Sequence, residues 1–133
     1  EATPFPQGQY IRAVEIAAAF NTLVESVSQQ PDWLLDTLKA VEKQDEFTAR
    51  LTSLLREVVS MGEKQSIHLG LHRSDYMLHL PEGADQLEMR QVELNTIASS
   101  FGSLSSKVTA LHKHILALHR PSPFLGTVPD NDS

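Results

Sequence analysis

Near Ser66 the hydrophobic period of this chain changes from 3.6 residues to 2, so neither an all-helical nor an all-strand fold accommodates the whole of it. Before that point Ile16, Phe20, Leu23, Val24 and Val27 fall at i, i+4, i+7, i+8 and i+11, one face of a helix. Phe47, Leu51, Leu54, Leu55 and Val58 repeat the spacing, and Leu34, Leu38 and Val41 form a shorter stripe between them. After it, Ile67, Leu69 and Leu71 alternate with His68, Gly70 and His72, as strand residues do. A helical period returns with Leu104, Val108, Leu111, Ile115 and Leu118. The pattern predicts an α+β architecture: N-terminal helices, a short antiparallel strand pair and a C-terminal helix, with the apolar stripes as core.

Local signals sharpen the boundaries. Pro31 and Asp32 mark the entry to the middle helix, with Asp32 as the expected N-cap, and Asp45 is placed to cap the third. Gly62 stands just past the last turn of that helix, where a positive φ commonly ends one. Tyr76, Leu78 and Leu80 alternate in the opposite phase to Ile67, Leu69 and Leu71. A one-residue shift turns every side chain to the other face, so a bulge is expected around Arg73, Ser74 and Asp75. The phase slips again between Leu87 and Met89, which are odd, and Val92 and Leu94, which are even. Pro81 to Asp85 supplies the turn chemistry of a hairpin between these runs.

Composition then narrows the function classes. With 133 residues there is room for one domain and a modest core. A formal charge of −6 gives no footprint for nucleic acid or an anionic membrane surface. No apolar run approaches the roughly 20 residues that span a bilayer. The absence of cysteine rules out disulfides and thiolate metal sites and fits a reducing compartment. There is no basic-then-apolar leader, and a first residue of Glu1 suggests a missing upstream piece.

The candidate chemistry lies in Gln91 to Gly102. In a strand Glu93 and Asn95 share a face, their Cα atoms roughly 6.5–7 Å apart, while Val92 and Leu94 turn to the side suited to burial. A carboxylate and an amide oxygen are hard ligands of the kind Mg²⁺ accepts while keeping waters or phosphate oxygens elsewhere; a solvated polar strand has the same pattern. Thr96 to Ser103 follows, small and hydroxyl-rich, before the last helix, an order that can aim backbone N–H groups at an anion. It is no nucleotide fingerprint, with one glycine and no Gly-Lys-Ser/Thr. The histidines argue little: His112 and His119 are seven apart with His114 off their line, not the i, i+4 pair a helix offers zinc. No Gly-x-Ser-x-Gly turn presents a nucleophilic serine.

Two blocks decide between these readings. Leu69-Gly70-Leu71-His72-Arg73-Ser74-Asp75-Tyr76-Met77 and Gln91-Val92-Glu93-Leu94-Asn95-Thr96-Ile97-Ala98-Ser99-Ser100-Phe101-Gly102 closely resemble the eukaryotic-type glutathione synthetase family. Lys43 to Leu51 and Ala110 to His114 fit the same family in the same order, so the resemblance covers roughly residues 10 to 118. It implies the N-terminal portion of a larger ATP-grasp-type ligase. That enzyme joins γ-glutamylcysteine to glycine: ATP phosphorylates the cysteinyl carboxylate and the glycine amine attacks the acyl phosphate. Residues 1–120 would be its substrate and Mg²⁺-edge portion and 121–133 a disordered tail.

Carried over by position, the resemblance implies that Arg73 binds γ-glutamylcysteine, a role a guanidinium fills with two parallel hydrogen bonds to a carboxylate. Glu93 would bind Mg²⁺ beside the ATP phosphates, with Asn95 as the second metal ligand on this strand. Ile97, Ala98, Ser99 and Ser100 would form a loop that contacts the dipeptide. The family also implies a cytoplasmic homodimer. Departures matter: the family pattern often has serine at Ala98, whose loss removes a hydroxyl that would contact substrate, a second glycine at Ser103, where a side chain narrows the freedom of the loop, and arginine then proline near Lys107 and Thr109. The nucleotide-binding lysines, glycine-rich lid and further carboxylates of the family are not within these residues, which points to a fragment inactive alone. The alternative is a non-catalytic helical interaction module derived from the ligase.

Overall fold

A computed structural model of the chain describes residues 4–62, 64–118 and 126–131. In order these form α1 (Gln7–Ser28), α2 (Pro31–Glu42), α3 (Glu46–Met61), β1 (Arg73–His79), β2 (Glu88–Asn95) and α4 (Leu104–Leu118). The α+β class and the order of elements are as the periodicity predicts. The chain divides into two compact units, residues 16–70 and residues 1–15 with 71–133.

In the first unit α2 and α3 pack as a pair. The helix ends show why they stop and start where they do. Asp45 caps α3, its carboxylate accepting from the Thr48 N–H at 2.8 Å and also from the Thr48 hydroxyl. Gly62, at φ 73°, closes α3 and donates its N–H to Val59. Asp32 is not the cap of α2: Gln30 precedes the helix and Pro31 takes its first position. A proline there has no N–H to satisfy and a φ already set for helix, so the helix begins one residue earlier than Asp32.

The seam between α2 and α3 differs from the expected one. Thr52 is its buried residue, 3% exposed, with Thr48, Ala49 and Leu55 half-buried around it. The Thr52 hydroxyl lies 3.0 Å from the Thr48 carbonyl and 3.1 Å from that of Ala49. It also helps hold the Glu42 carboxyl below its ordinary range, ahead of Arg56, whose Nη2 pairs with Glu42 at 2.7 Å. Phe47, Leu51, Leu54 and Val58 are exposed, so the apolar stripe of α3 is not a core face among the described residues. In α1, Ile16, Phe20, Val24 and Val27 are half-buried while Leu23 is exposed.

The second unit centres on the β1–β2 hairpin. Its register runs antiparallel from Arg73↔Asn95 to His79↔Glu88. Asp75 faces Glu93 and Tyr76 faces Gln91, which leaves Val92 as an extra residue. The bulge is therefore in β2, at the second phase slip, and not around Arg73 to Asp75 on β1. Val92 accordingly stays exposed instead of buried. Gly83 turns the connection at φ 77°, beside an Ala84 N–H to Pro81 carbonyl bond of 3.1 Å. The Gln9 side chain clips the start of β2, its Nε2 donating to Leu87 O at 3.0 Å and its Oε1 accepting from Met89 N at 3.3 Å.

The Ile67–Leu71 run is not a strand, although its alternation is strand-like. A strand needs a ladder partner, and the β2 register ends opposite Arg73. Leu69 is accordingly 96% exposed. The stripe of α4 is also largely open, with Leu104, Val108, Leu111 and Leu118 exposed and Ile115 half-buried. Among the described residues no apolar side chain is buried; Thr52 and Ser99 are the buried residues. Of the expected disordered tail, residues 121–125, 132 and 133 lie outside the described residues, as do His119 and Arg120. Residues 126–131 form no helix or strand, and Asp130 pairs with Lys113.

Candidate functional site at the bulged end of the hairpin

The pleat of the hairpin sorts its side chains. Arg73, Asp75, Met77 and His79 share one face of β1 with Asn95, Glu93, Arg90 and Glu88 opposite them on β2. The face is polar and charged, and its two ends differ. At the turn end Arg90 pairs with its own neighbour Glu88 in the open. At the other end the charged groups converge.

Arg73 holds Asp75 side-on, Nε to Oδ1 at 2.8 Å and Nη2 to Oδ2 at 3.0 Å. Its Nη1 donates to the Ser99 carbonyl at 2.6 Å. Asn95 Nδ2 donates to Glu93 Oε1 at 3.0 Å and to Asp75 Oδ2 at 3.2 Å. That orientation follows from charge, since the amide oxygen would repel both carboxylates while the two amide hydrogens satisfy one each. The shared face expected for Glu93 and Asn95 is thus present as a direct contact.

Ser99 ties the following loop to this cluster. It is 6% exposed, and its hydroxyl lies 2.9 Å from the Leu71 carbonyl and 3.1 Å from that of Asn95. The hydroxyl is committed to the main chain, so Ser99 meets Arg73 through its carbonyl. Ile97, Ala98 and Ser100 are exposed around it. Ala98, Ser100 and Phe101 adopt φ of 49°, 58° and 59°, a region that costs an L-residue roughly 1–2 kcal/mol. Gly102, between the strained residues and α4, has no positive φ. The loop's strain therefore falls on side-chain-bearing residues, and Ser103 in place of a glycine restricts nothing there.

The electrostatics follow from these contacts. The hydrogen bonds from Arg73 hold the Asp75 carboxyl below the ordinary aspartate range, against the opposing effect of burial; the charge of Arg73 and hydrogen bonding with Glu93 and Asn95 add to the lowering. In return the hydrogen bond to Asp75, with its charge and that of Glu93, raises Arg73 above its ordinary value. The cluster contains two carboxylates and one guanidinium. The two hydrogens of Asn95 stand between the carboxylates, where positive charge is wanted. Glu93 and the Asn95 amide oxygen are hard donors of the kind Mg²⁺ accepts beside waters or phosphate, but here Asn95 turns its hydrogens, not its oxygen, toward both carboxylates, and Arg73 occupies both oxygens of Asp75. Among the described residues no three Asp, Glu or His side chains form a closed metal cage.

Asp75 is the member that sequence reasoning missed as a site residue, assigning it only to a bulge. The signal was there: Arg73 and Asp75 are two apart in a strand, the same relation that joined Glu93 to Asn95. Arg73, Glu93, Asn95 and Ser99 are brought together as hydrogen-bonded neighbours.

A family model described as eukaryotic glutathione synthase, ATP binding domain, matches residues 2–133. The chain belongs to the eukaryotic glutathione synthase family. Curated relatives agree with this assignment. Glutathione synthetase of Mus musculus is 42% identical over 115 residues, covering 86% of this chain and 24% of its own length. That of Homo sapiens is 38% identical over 128 residues, covering 96% of the chain and 27% of its own length. The chloroplastic glutathione synthetase of Solanum lycopersicum is 41% identical over 117 residues, covering 87% of the chain and 20% of its own length. This member of the glutathione synthase family thus spans about a quarter of the mammalian relatives it matches. No solved structure matches it. No helix among its described residues is long and apolar enough to cross a membrane.

Proposed function

We propose that this segment supplies the dipeptide-binding and Mg²⁺-edge part of an ATP-dependent ligase that joins γ-glutamylcysteine to glycine. The observation that carries the reading is the convergence of Arg73, Asp75, Glu93, Asn95 and the Ser99 carbonyl through hydrogen bonds of 2.6–3.2 Å. Two strands and a loop, separated by the hairpin turn, are spent on building it.

In this reading Arg73 takes a carboxylate of γ-glutamylcysteine and orients the dipeptide. Glu93 and Asn95 would hold Mg²⁺, with Glu93 also beside ATP. Bound there, the ion supplies charge compensation to phosphate oxygens. Ile97, Ala98, Ser99 and Ser100 form the wall along which the dipeptide lies, with Ser99 bracing it from behind. The rest of the nucleotide site, of ATP-grasp type, and the glycine site belong to the remainder of the ligase, so this chain by itself performs no ligation. A cytoplasmic location and a homodimeric enzyme complete the proposal on family resemblance alone, to be checked by fractionation and by light scattering of the full-length protein.

Arg73→Ala in a full-length family enzyme carrying this segment is expected to raise KM for γ-glutamylcysteine roughly 10–100-fold, the range lost with a charged hydrogen-bonded contact. An unchanged KM would return Arg73 to a structural role. The purified chain incubated with ATP, Mg²⁺, γ-glutamylcysteine and glycine is expected to release no ADP; turnover would refute the divided site.

The exposed apolar stripe of α3 favours a second reading, a helical interaction module that keeps the sequence of the ligase without its chemistry. The transcript beyond His119 separates the two. An in-frame continuation encoding an ATP-grasp region supports the ligase, whereas a stop codon supports the module.

A further inference from the structure

We infer that Asp75 is a positioning residue for substrate binding, holding the Arg73 guanidinium so that one matched pair of donors is presented to a carboxylate. The inference rests on the reading of Arg73 as the ligand of γ-glutamylcysteine and adds a residue to it.

The geometry follows from counting hydrogens. A guanidinium has five N–H donors in a rigid planar fork. Asp75 takes one from Nε and one from Nη2, along one side of the fork. The Ser99 carbonyl takes one from Nη1. Among the described residues these contacts leave two donors, one on each terminal nitrogen. A carboxylate has two oxygens and is bound by such a pair.

Further contacts hold both partners of Arg73 in place. Asn95 Nδ2 ties Asp75 Oδ2 to Glu93 Oε1. Asp75 sits opposite Glu93 in the ladder, immediately before the bulge. The Ser99 carbonyl is fixed in turn, because the hydroxyl of the same residue is bound to the Leu71 and Asn95 carbonyls. Arg73 is otherwise a long side chain with several free torsions. Ordering it before the substrate arrives removes part of the entropic cost of binding.

Asp75 also has an opposing effect, since its charge cancels that of Arg73 and weakens the attraction for an anion. Positioning and cancellation predict opposite signs, so the sign of the change on removing Asp75 decides between them. The experiment compares Asp75→Asn, Asp75→Ala and Arg73→Ala in a full-length family enzyme carrying this segment. KM for γ-glutamylcysteine, KM for ATP, kcat and the thermal midpoint are measured for each. Positioning predicts a graded rise in KM for the dipeptide, several-fold for Asn, which keeps one acceptor, and roughly tenfold or more for Ala. The rise in KM for the dipeptide should clearly exceed any change in KM for ATP or in kcat, a separation that general loosening of the fold does not produce.

A KM for γ-glutamylcysteine that falls or stays constant in both Asp75 variants, while Arg73→Ala raises it, overturns the positioning role and leaves the proposed function standing. No change with Arg73→Ala overturns the substrate reading and the positioning role with it. If Asp75→Ala does not fold, the Asn variant alone carries the decision, by the same sign.

Discussion

Ser99 and its neighbours divide their work in a way that residue types alone do not announce. Thr96, Ser99, Ser100 and Ser103 stand in the loop and the residues flanking it, and any of them could offer a hydroxyl to a ligand. Ser99 turns its hydroxyl inward and uses its carbonyl on Arg73. Ser99→Ala is therefore expected to cost about 1 kcal/mol of stability, the net worth of a typical hydrogen bond, measured by urea unfolding. Ala98 at φ 49° makes the opposite case: Ala98→Gly is expected to stabilise by about 0.5–1 kcal/mol in the same assay, since glycine occupies that region without a Cβ clash. Asp75 adds a pH dependence. Its pKa is lowered in the folded state, so the stabilisation it gives is complete above the ordinary aspartate pKa near 4 and is lost as pH falls through the folded value. An NMR titration following the Asp75 carboxyl carbon and the Arg73 Nε resonance should show both moving together, below the midpoint of an unbraced aspartate.

At the scale of elements, the parts of the fold legible in the sequence were those with a local cause. Asp45 and Gly62 bound α3 as their chemistry requires, and the phase slip between Met89 and Val92 located a real bulge. What failed was whatever depends on a partner. Ile67 to Leu71 has the period of a strand but no second strand to pair with among the described residues, so it forms no strand and stays exposed. The seam of α3 was illegible for a related reason. It is built on Thr48, Ala49 and Thr52, small residues that a hydrophobic period passes over, while of the apolar stripe Leu55 alone joins them and Phe47, Leu51, Leu54 and Val58 are exposed. Thr52→Leu puts an extra side chain into this seam and is expected to destabilise the α2–α3 pair by about 1–3 kcal/mol. Leu54→Asp, on the exposed stripe of the same helix, is expected to stay within about 0.5 kcal/mol of wild type. Thermal unfolding of the two variants side by side tests which face is the packed one.

At the scale of the whole molecule, the feature that stands out is unburied apolar surface. Twenty-six large hydrophobic side chains are exposed among the described residues, and none is buried, an arrangement expected of a piece whose apolar surface is meant to be covered. Two polar atoms are buried there without a hydrogen-bond partner: His72 Nδ1, just before β1, and the Tyr76 hydroxyl, on the face of β1 away from the Arg73 cluster. An unsatisfied buried hydroxyl costs about 1–3 kcal/mol, so Tyr76→Phe is expected to leave the chain equally stable or up to about 1 kcal/mol more so, again by thermal unfolding.

Deleting Val92 would leave every ladder pair of the hairpin in step, because Asp75 already faces Glu93 and Tyr76 already faces Gln91 on either side of it. Only the extra twist that a bulge puts into a strand would go. The composition of the charged cluster and the direction in which it is aimed are therefore encoded by different residues. In a lineage of such enzymes each can drift while the other is held, as a lamp can be swivelled without changing its bulb.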